Sequence, residues 1–135
     1  MASTETSASP TTQRSQRNGN TDAVFRAFSD RTRLRILHLL RERELCVNDL
    51  LHVIAVPQPT ASRHLAYLRR VRLVAARKHG QWVYYSLAPA RSSFHSKLLD
   101  CLGFCFDEVP EIRRDTARAA RVLHSGGCCK PLATT

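Results

Sequence analysis

A mainly α fold with one small β-hairpin, an α+β arrangement, is expected from three observations. Apolar residues recur at helical spacing from Thr21 to Val71, then alternate between Leu73 and Leu87, then return to helical spacing from Ser92. Within the first stretch, Val56-Pro57-Gln58-Pro59 cannot continue a helix, because each proline restricts the residue before it. Two short helices separated by a tight turn are therefore followed by a hairpin and a helical pair.

Residues 1–20 are rich in Ser and Thr and nearly lack large apolar side chains, so they are expected to form a disordered arm, with Arg14 and Arg17 solvated. The folded unit is expected over 21–124, and 125–135 as a flexible Cys-containing tail. Val24, Phe25 and Phe28 make the stripe of a short first helix. Asp30 can cap a second helix, Arg31 to Glu42, with Leu34, Ile36, Leu37 and Leu40 inward. The third helix is expected from Cys46 to Ile54, and the fourth from about Pro59 to Val71, since proline is favoured at a first helical position. Two strands, Leu73 to Lys78 and Gln81 to Leu87, are expected to join at His79-Gly80. Pro89 ends the second. Phe94, Leu98, Cys101, Leu102, Cys105 and Val109 share one stripe of a fifth helix. Pro110 opens the last helix, to about residue 123, with Ile112, Ala119 and Leu123 as its apolar positions, and Ser125-Gly126-Gly127 stops it. Three helices, a reader helix, a two-stranded wing and a C-terminal helical pair compose a winged helix-turn-helix.

The 135-residue chain carries 21 Lys and Arg against 11 acids, a net charge of +10. Such an excess favours a polyanion, most simply double-stranded DNA, because neutralising phosphates releases counterions. An anionic membrane is the rival partner, but no apolar run is long enough to span a bilayer. The N-terminus has no apolar signal core, so the expected location is cytoplasmic, where five cysteines are thiols or metal ligands rather than structural disulfides.

On the fourth helix, Ala61, Leu65 and Leu68 share the inward face, which turns Thr60, Arg63, Tyr67 and Arg70 outward and puts Ser62 and His64 on the flanks. Gln58 stands at the helix N-terminus, the end that enters the groove in such motifs. Arg can hold guanine through O6 and N7, and hydroxyls and His can reach base edges or phosphates. At the hairpin, Arg77, Lys78 and His79 form one rim and Gln81 the other, placed to lie beside a phosphate backbone. Trp82 and one of Tyr84 and Tyr85 are expected to pack rather than stack on bases.

The segments Glu44-Leu45-Cys46-Val47-Asn48-Asp49-Leu50 and Gln58-Pro59-Thr60-Ala61-Ser62-Arg63-His64-Leu65 resemble the ArsR/SmtB family of metal-sensing repressors, in particular the arsenical repressors. The resemblance covers roughly Thr21 to Leu99. It implies the winged helix-turn-helix, a homodimer closed by C-terminal dimerisation helices, and operator DNA as partner. The family's arsenic motif reads Cys-Val-Cys-Asp-Leu-Cys; here Cys46 is kept, while Asn48 and Leu51 stand where the other two thiols belong. Arg72 occupies a place where the family usually has Gly, a left-handed helix terminus that Arg adopts at a cost of roughly 1 kcal/mol.

The thiols left over are Cys101, Cys105, Cys128 and Cys129. Cys128 and Cys129 lie on no apolar stripe. Cys101 and Cys105 are one helical turn apart, close enough to share an ion, but they also fit an apolar core stripe. Soft thiolates select soft centres. As(III) takes three sulfurs, which one or both of Cys101 and Cys105 can supply together with Cys128 and Cys129. Cys46 is then a packing residue or a lone extra ligand. The expected inducer is As(III), with Sb(III), Cd, Pb or thiol oxidation as alternatives, and no organic cofactor. A zinc site from His95, Asp100 and His124 lacks the family's paired ligand spacing. A small thiol enzyme is disfavoured, because no Cys sits in a phosphate-binding loop and no Cys-x-x-Cys opens a helix after a strand. A constitutive architectural DNA-binding protein would have no use for the Cys128-Cys129 tail.

Overall fold

The computed structural model describes residues 21–104, 109–124 and 126. Helix α1 covers 21–27. It is followed by α2 (Arg31–Glu42), β1 (Leu45–Cys46), α3 (Val47–Ile54), α4 (Gln58–Arg70), β2 (Val74–His79), β3 (Trp82–Leu87), α5 (Ser93–Cys101) and α6 (Pro110–His124). The winged helix-turn-helix expected from the sequence is the observed architecture.

Local chemistry sets the helix ends. The Asp30 carboxylate accepts from the Arg33 amide at 3.0 Å and caps α2. The Ser92 hydroxyl accepts from the His95 amide at 3.1 Å and caps α5. Helix α3 stops at Ala55, which is left-handed at φ 58° and donates to the Leu51 carbonyl at 2.9 Å. Helix α4 stops at Arg72, left-handed at φ 65°, as the missing Gly predicts. There Arg72 N–H reaches the Arg69 carbonyl at 3.0 Å and Leu73 N–H reaches the Leu68 carbonyl at 2.9 Å, closing a Schellman turn over two buried leucines.

The sheet order is β1-β3-β2, antiparallel throughout. Strand β1 is absent from the sequence-based expectation: two residues, Leu45 opposite Tyr85 and Cys46 opposite Tyr84, show no periodicity of their own. The hairpin turn also differs from expectation. His79 pairs with Trp82, so the loop is Gly80-Gln81 rather than His79-Gly80. Gly80 leads it at φ 64°, the positive φ required at the first central position of a two-residue hairpin loop.

The core joins Val24 and Ala27 of α1, Leu34, Ile36, Leu37, Leu39 and Leu40 of α2, Leu50, Val53 and Ile54 of α3, and Leu65 and Leu68 of α4. Phe25, expected on the inward stripe, is 53% exposed and stacks obliquely on Phe94 at 5.1 Å. Helix α5 is shorter than its apolar stripe suggests. After Cys101 the chain tightens into i→i+3 bonds at Leu102, Gly103 and Phe104. Gly103 passes so near Arg41 that a Cβ there would lie 2.5 Å from the guanidinium carbon. The stripe therefore breaks before Cys105, which lies outside the described residues.

Helix α6 packs on α2 and α3. Asp115, 1% exposed, receives Arg35 through Nε at 2.7 Å and Nη2 at 2.9 Å. The same Arg35 Nη2 donates to the Ile54 carbonyl at 2.8 Å, and Arg118 donates to the Val53 carbonyl at 2.7 Å. Two guanidinium groups thus satisfy the last carbonyls of α3, where the helix dipole also favours positive charge.

Ala55→Gly should raise stability by about 0.5–1 kcal/mol, since the left-handed terminus then carries no Cβ penalty; a chemical denaturation midpoint that falls would contradict this. Asp115→Asn should lower stability by about 3 kcal/mol, because Arg35 keeps its charge in a dry setting without its partner. The double change Arg35→Met, Asp115→Leu should recover much of that loss, and a double variant no more stable than Asp115→Asn would refute this account of the pair.

Candidate nucleic-acid interface

The helix-turn-helix is α3, the turn 55–57 and α4. Burial of Ala61, Leu65 and Leu68 fixes how α4 is rolled. Gln58, Ser62 and Arg63 are then exposed, and Thr60 is half-buried. Lys78 and Gln81 are exposed at the wing tip. These six side chains make a polar and basic surface with no acidic member.

The other three residues expected at the interface are engaged inside the protein. Tyr67 is half-buried, with Arg33 stacked over its ring at 4.5 Å, Arg70 at 5.3 Å, and its hydroxyl donating to the Ala23 carbonyl at 3.3 Å. His64 Nδ1 lies 3.3 Å from Arg33 Nη1, and its Nε2 lies 3.7 Å from the Asp30 carboxylate. Arg77 pairs bidentately with Glu44 at 2.7 and 2.8 Å and stacks over Tyr84 at 4.8 Å. The Arg77 guanidinium holds the Glu44 carboxyl below its ordinary range. The wing is therefore tied to the segment that enters β1.

Arg33 is a residue that sequence reasoning missed. It donates through Nε to the Ala27 carbonyl at 3.2 Å and through Nη2 to the Arg26 carbonyl at 2.8 Å. It thus ties the end of α1 to the side chains of α4. Asp115 had a visible signal, an acid on the same stripe as Ile112 and Ala119.

Among the thiols, Cys101 is half-buried at the end of α5 and is not disulfide-bonded. Cys105, Cys128 and Cys129 lie outside the described residues. Cys46 is 1% exposed, sits at the N-cap of α3 and is disulfide-bonded. Among the described residues no group of three or more His, Cys, Asp or Glu side chains could hold a metal ion, so His95, Asp100 and His124 do not converge. His95 is instead buried, and its Nδ1 accepts from the Arg91 amide at 3.2 Å. Burial, with a smaller contribution from the Arg91 charge, pushes its pKa down. Among the described residues no helix is long and apolar enough to cross a membrane.

Residues 30–76 match the model of the arsR family of bacterial regulatory proteins. The arsenical resistance operon repressor of Escherichia coli K12 is 43% identical over 97 residues, 70% of this chain and 83% of that protein. A cadmium resistance regulatory protein CadC homolog of Staphylococcus aureus is 46% identical over 65 residues, 47% of this chain and 54% of that one. The solution structure of Mb0332 from Mycobacterium bovis, described as a homodimeric winged helix-turn-helix DNA-binding domain, superposes with a TM-score of 0.61 at 26% identity over 82% of this chain and 94% of that one.

The buried neutral His95 has a pH consequence. Its folded pKa lies below the unfolded value of about 6.5, so the unfolded chain takes the proton first and stability falls as pH drops through that value. Melting temperature should therefore fall between about pH 7.5 and 5.5, and fall less in His95→Gln. An equal fall in both proteins would remove His95 as its source.

Proposed function

The chain belongs to the ArsR family of bacterial regulatory proteins, and on that premise we propose that it is an arsenite-responsive transcriptional repressor. The homodimer holds operator DNA with one α4 per half-site, and capture of As(III) by cysteine thiolates releases it. The observation that carries the DNA part is the acid-free exposed surface of Gln58, Ser62, Arg63, Lys78 and Gln81 around a rigidly seated α4. Support for arsenic comes from the arsenical repressor that matches 70% of the chain and from the five cysteines. Exposed Phe25 and Phe104, at 53% and 77%, are apolar surface that a second copy would cover.

Trivalent arsenic bonds to three thiolates, and the ligands are drawn from Cys101, Cys105, Cys128 and Cys129. Thiol oxidation itself is the alternative signal that the same cysteines could report. Sb(III) is the inducer chemistry nearest to As(III).

Two experiments test this. Arg63→Ala should weaken specific operator binding by roughly 1–3 kcal/mol with the fold intact; an unchanged footprint would remove α4 as the reader. The reduced Cys128→Ser, Cys129→Ser protein should still bind its operator but no longer release it with arsenite. Full release in that protein, lost instead on replacing Cys46, would move the site to the start of α3.

A further inference from the structure

We propose that Arg69, Arg72 and Arg91 form a site for phosphate oxygens, supplied by the DNA backbone beside the half-site that α4 reads. The inference rests on the DNA-binding reading and extends it to a surface outside the reader positions and the wing tip.

The three arginines come from the end of α4, the turn after it and the segment that enters α5. With Val74, Ala88 and Pro89 they line a shallow groove of about 380 Å³. No acid lines it. Among the described residues none of the three guanidinium groups has an ion pair, whereas Arg31, Arg35 and Arg77 are each matched to a carboxylate. The apolar wall formed by Val74, Ala88 and Pro89 keeps water back on one side and concentrates the field of the three charges. Guanidinium forks match the non-bridging oxygens of a phosphodiester bidentately.

The backbone around the groove is held firmly. Arg72 lies within the Schellman turn at φ 65°, a conformation that glycine would take without strain. An arginine is thus kept where its backbone is disfavoured, and its side chain leaves from a rigid turn. Arg91 is pinned by its backbone N–H, which donates to His95 Nδ1 at 3.2 Å, and Ala88 by its N–H, which donates to the Leu73 carbonyl at 2.9 Å. Exposed Ser62, Ala66 and Arg69 lie within about 60° of arc on α4. The groove therefore continues the exposed face of the reader helix, which is why DNA, rather than a free anion, is the expected source of the phosphate.

The test uses the reduced full-length protein, the operator duplex and a scrambled duplex of equal length. Arg72→Gly should melt at a higher temperature than the parent, yet bind both duplexes about tenfold more weakly at about 0.1 M salt. Its slope of log affinity against log salt should be shallower by about 1 per protomer. Arg91→Gln should behave alike without the gain in melting temperature, and Arg72→Lys should keep most of the affinity. If both variants retain parental affinity and slope while Arg63→Ala binds weakly, the groove holds no DNA phosphate and the proposal fails with the DNA reading intact. If the parent binds neither duplex, the DNA reading itself fails. A separate arm titrates inorganic phosphate while following arginine side-chain NMR signals. Saturable shifts in the parent, absent from Arg72→Gly, with unchanged DNA binding in that variant, would assign the site to a free anion and overturn the DNA source. No shifts and no change in DNA binding would overturn the site altogether.

Discussion

The fold turns on one buried ion pair. Arg35 and Asp115 meet bidentately between α2 and α6, and the same guanidinium reaches the last carbonyl of α3. Removing two charges from water offsets most of their attraction, so the pair adds little net stability compared with an apolar packing. What it supplies is geometry. The C-terminal end of α3 is the last fixed point before the turn that aims α4, and it is held there by Arg35 and Arg118. Any movement of α6 must carry or break the Arg118 bond to the Val53 carbonyl and the Arg35–Asp115 pair. A terminal helix that responds to ligand would in this way act on the reading unit through hydrogen bonds of about 2.7–2.9 Å rather than through soft packing alone.

Charge is sorted by the same logic. The chain has few acids, and Asp30, Glu44, Glu111 and Asp115 each face an arginine or histidine within the fold. Negative charge is consumed in joining elements, so the unmatched positive charge is left on the surface. Arg33 shows the division within one residue pair: it stacks on Tyr67 from inside, and Arg70 covers the same ring from the solvent side. The pairing of Arg77 with Glu44 keeps the wing close to the helical body.

Much of this was legible in the sequence because the helices are periodic and capped. Asp30, Pro59, Ser92 and Pro110 mark starts that the structure keeps within a residue or two, and Arg72 reveals its left-handed turn by replacing a glycine. Misjudged features are those that periodicity cannot encode. A two-residue strand has no period. A fifth helix that ends at Cys101 looks longer because apolar residues continue beyond it. His64, Tyr67 and Arg77 also have intramolecular partners, Arg33, Asp30 and Glu44, that lie 30 or more residues away and leave no local signal.

The most direct test of an arsenite-responsive repressor is a titration of operator affinity for the reduced protein against arsenite, antimonite, cadmium and zinc in turn, at one salt concentration. Trivalent arsenic should weaken binding at least about fivefold, and by up to roughly 150-fold, the range of a coupling free energy of about 1–3 kcal/mol. Antimonite should act similarly, and zinc should leave the affinity unchanged. Release by cadmium or zinc with none by arsenite, or release on withdrawal of reductant alone, would contradict the account.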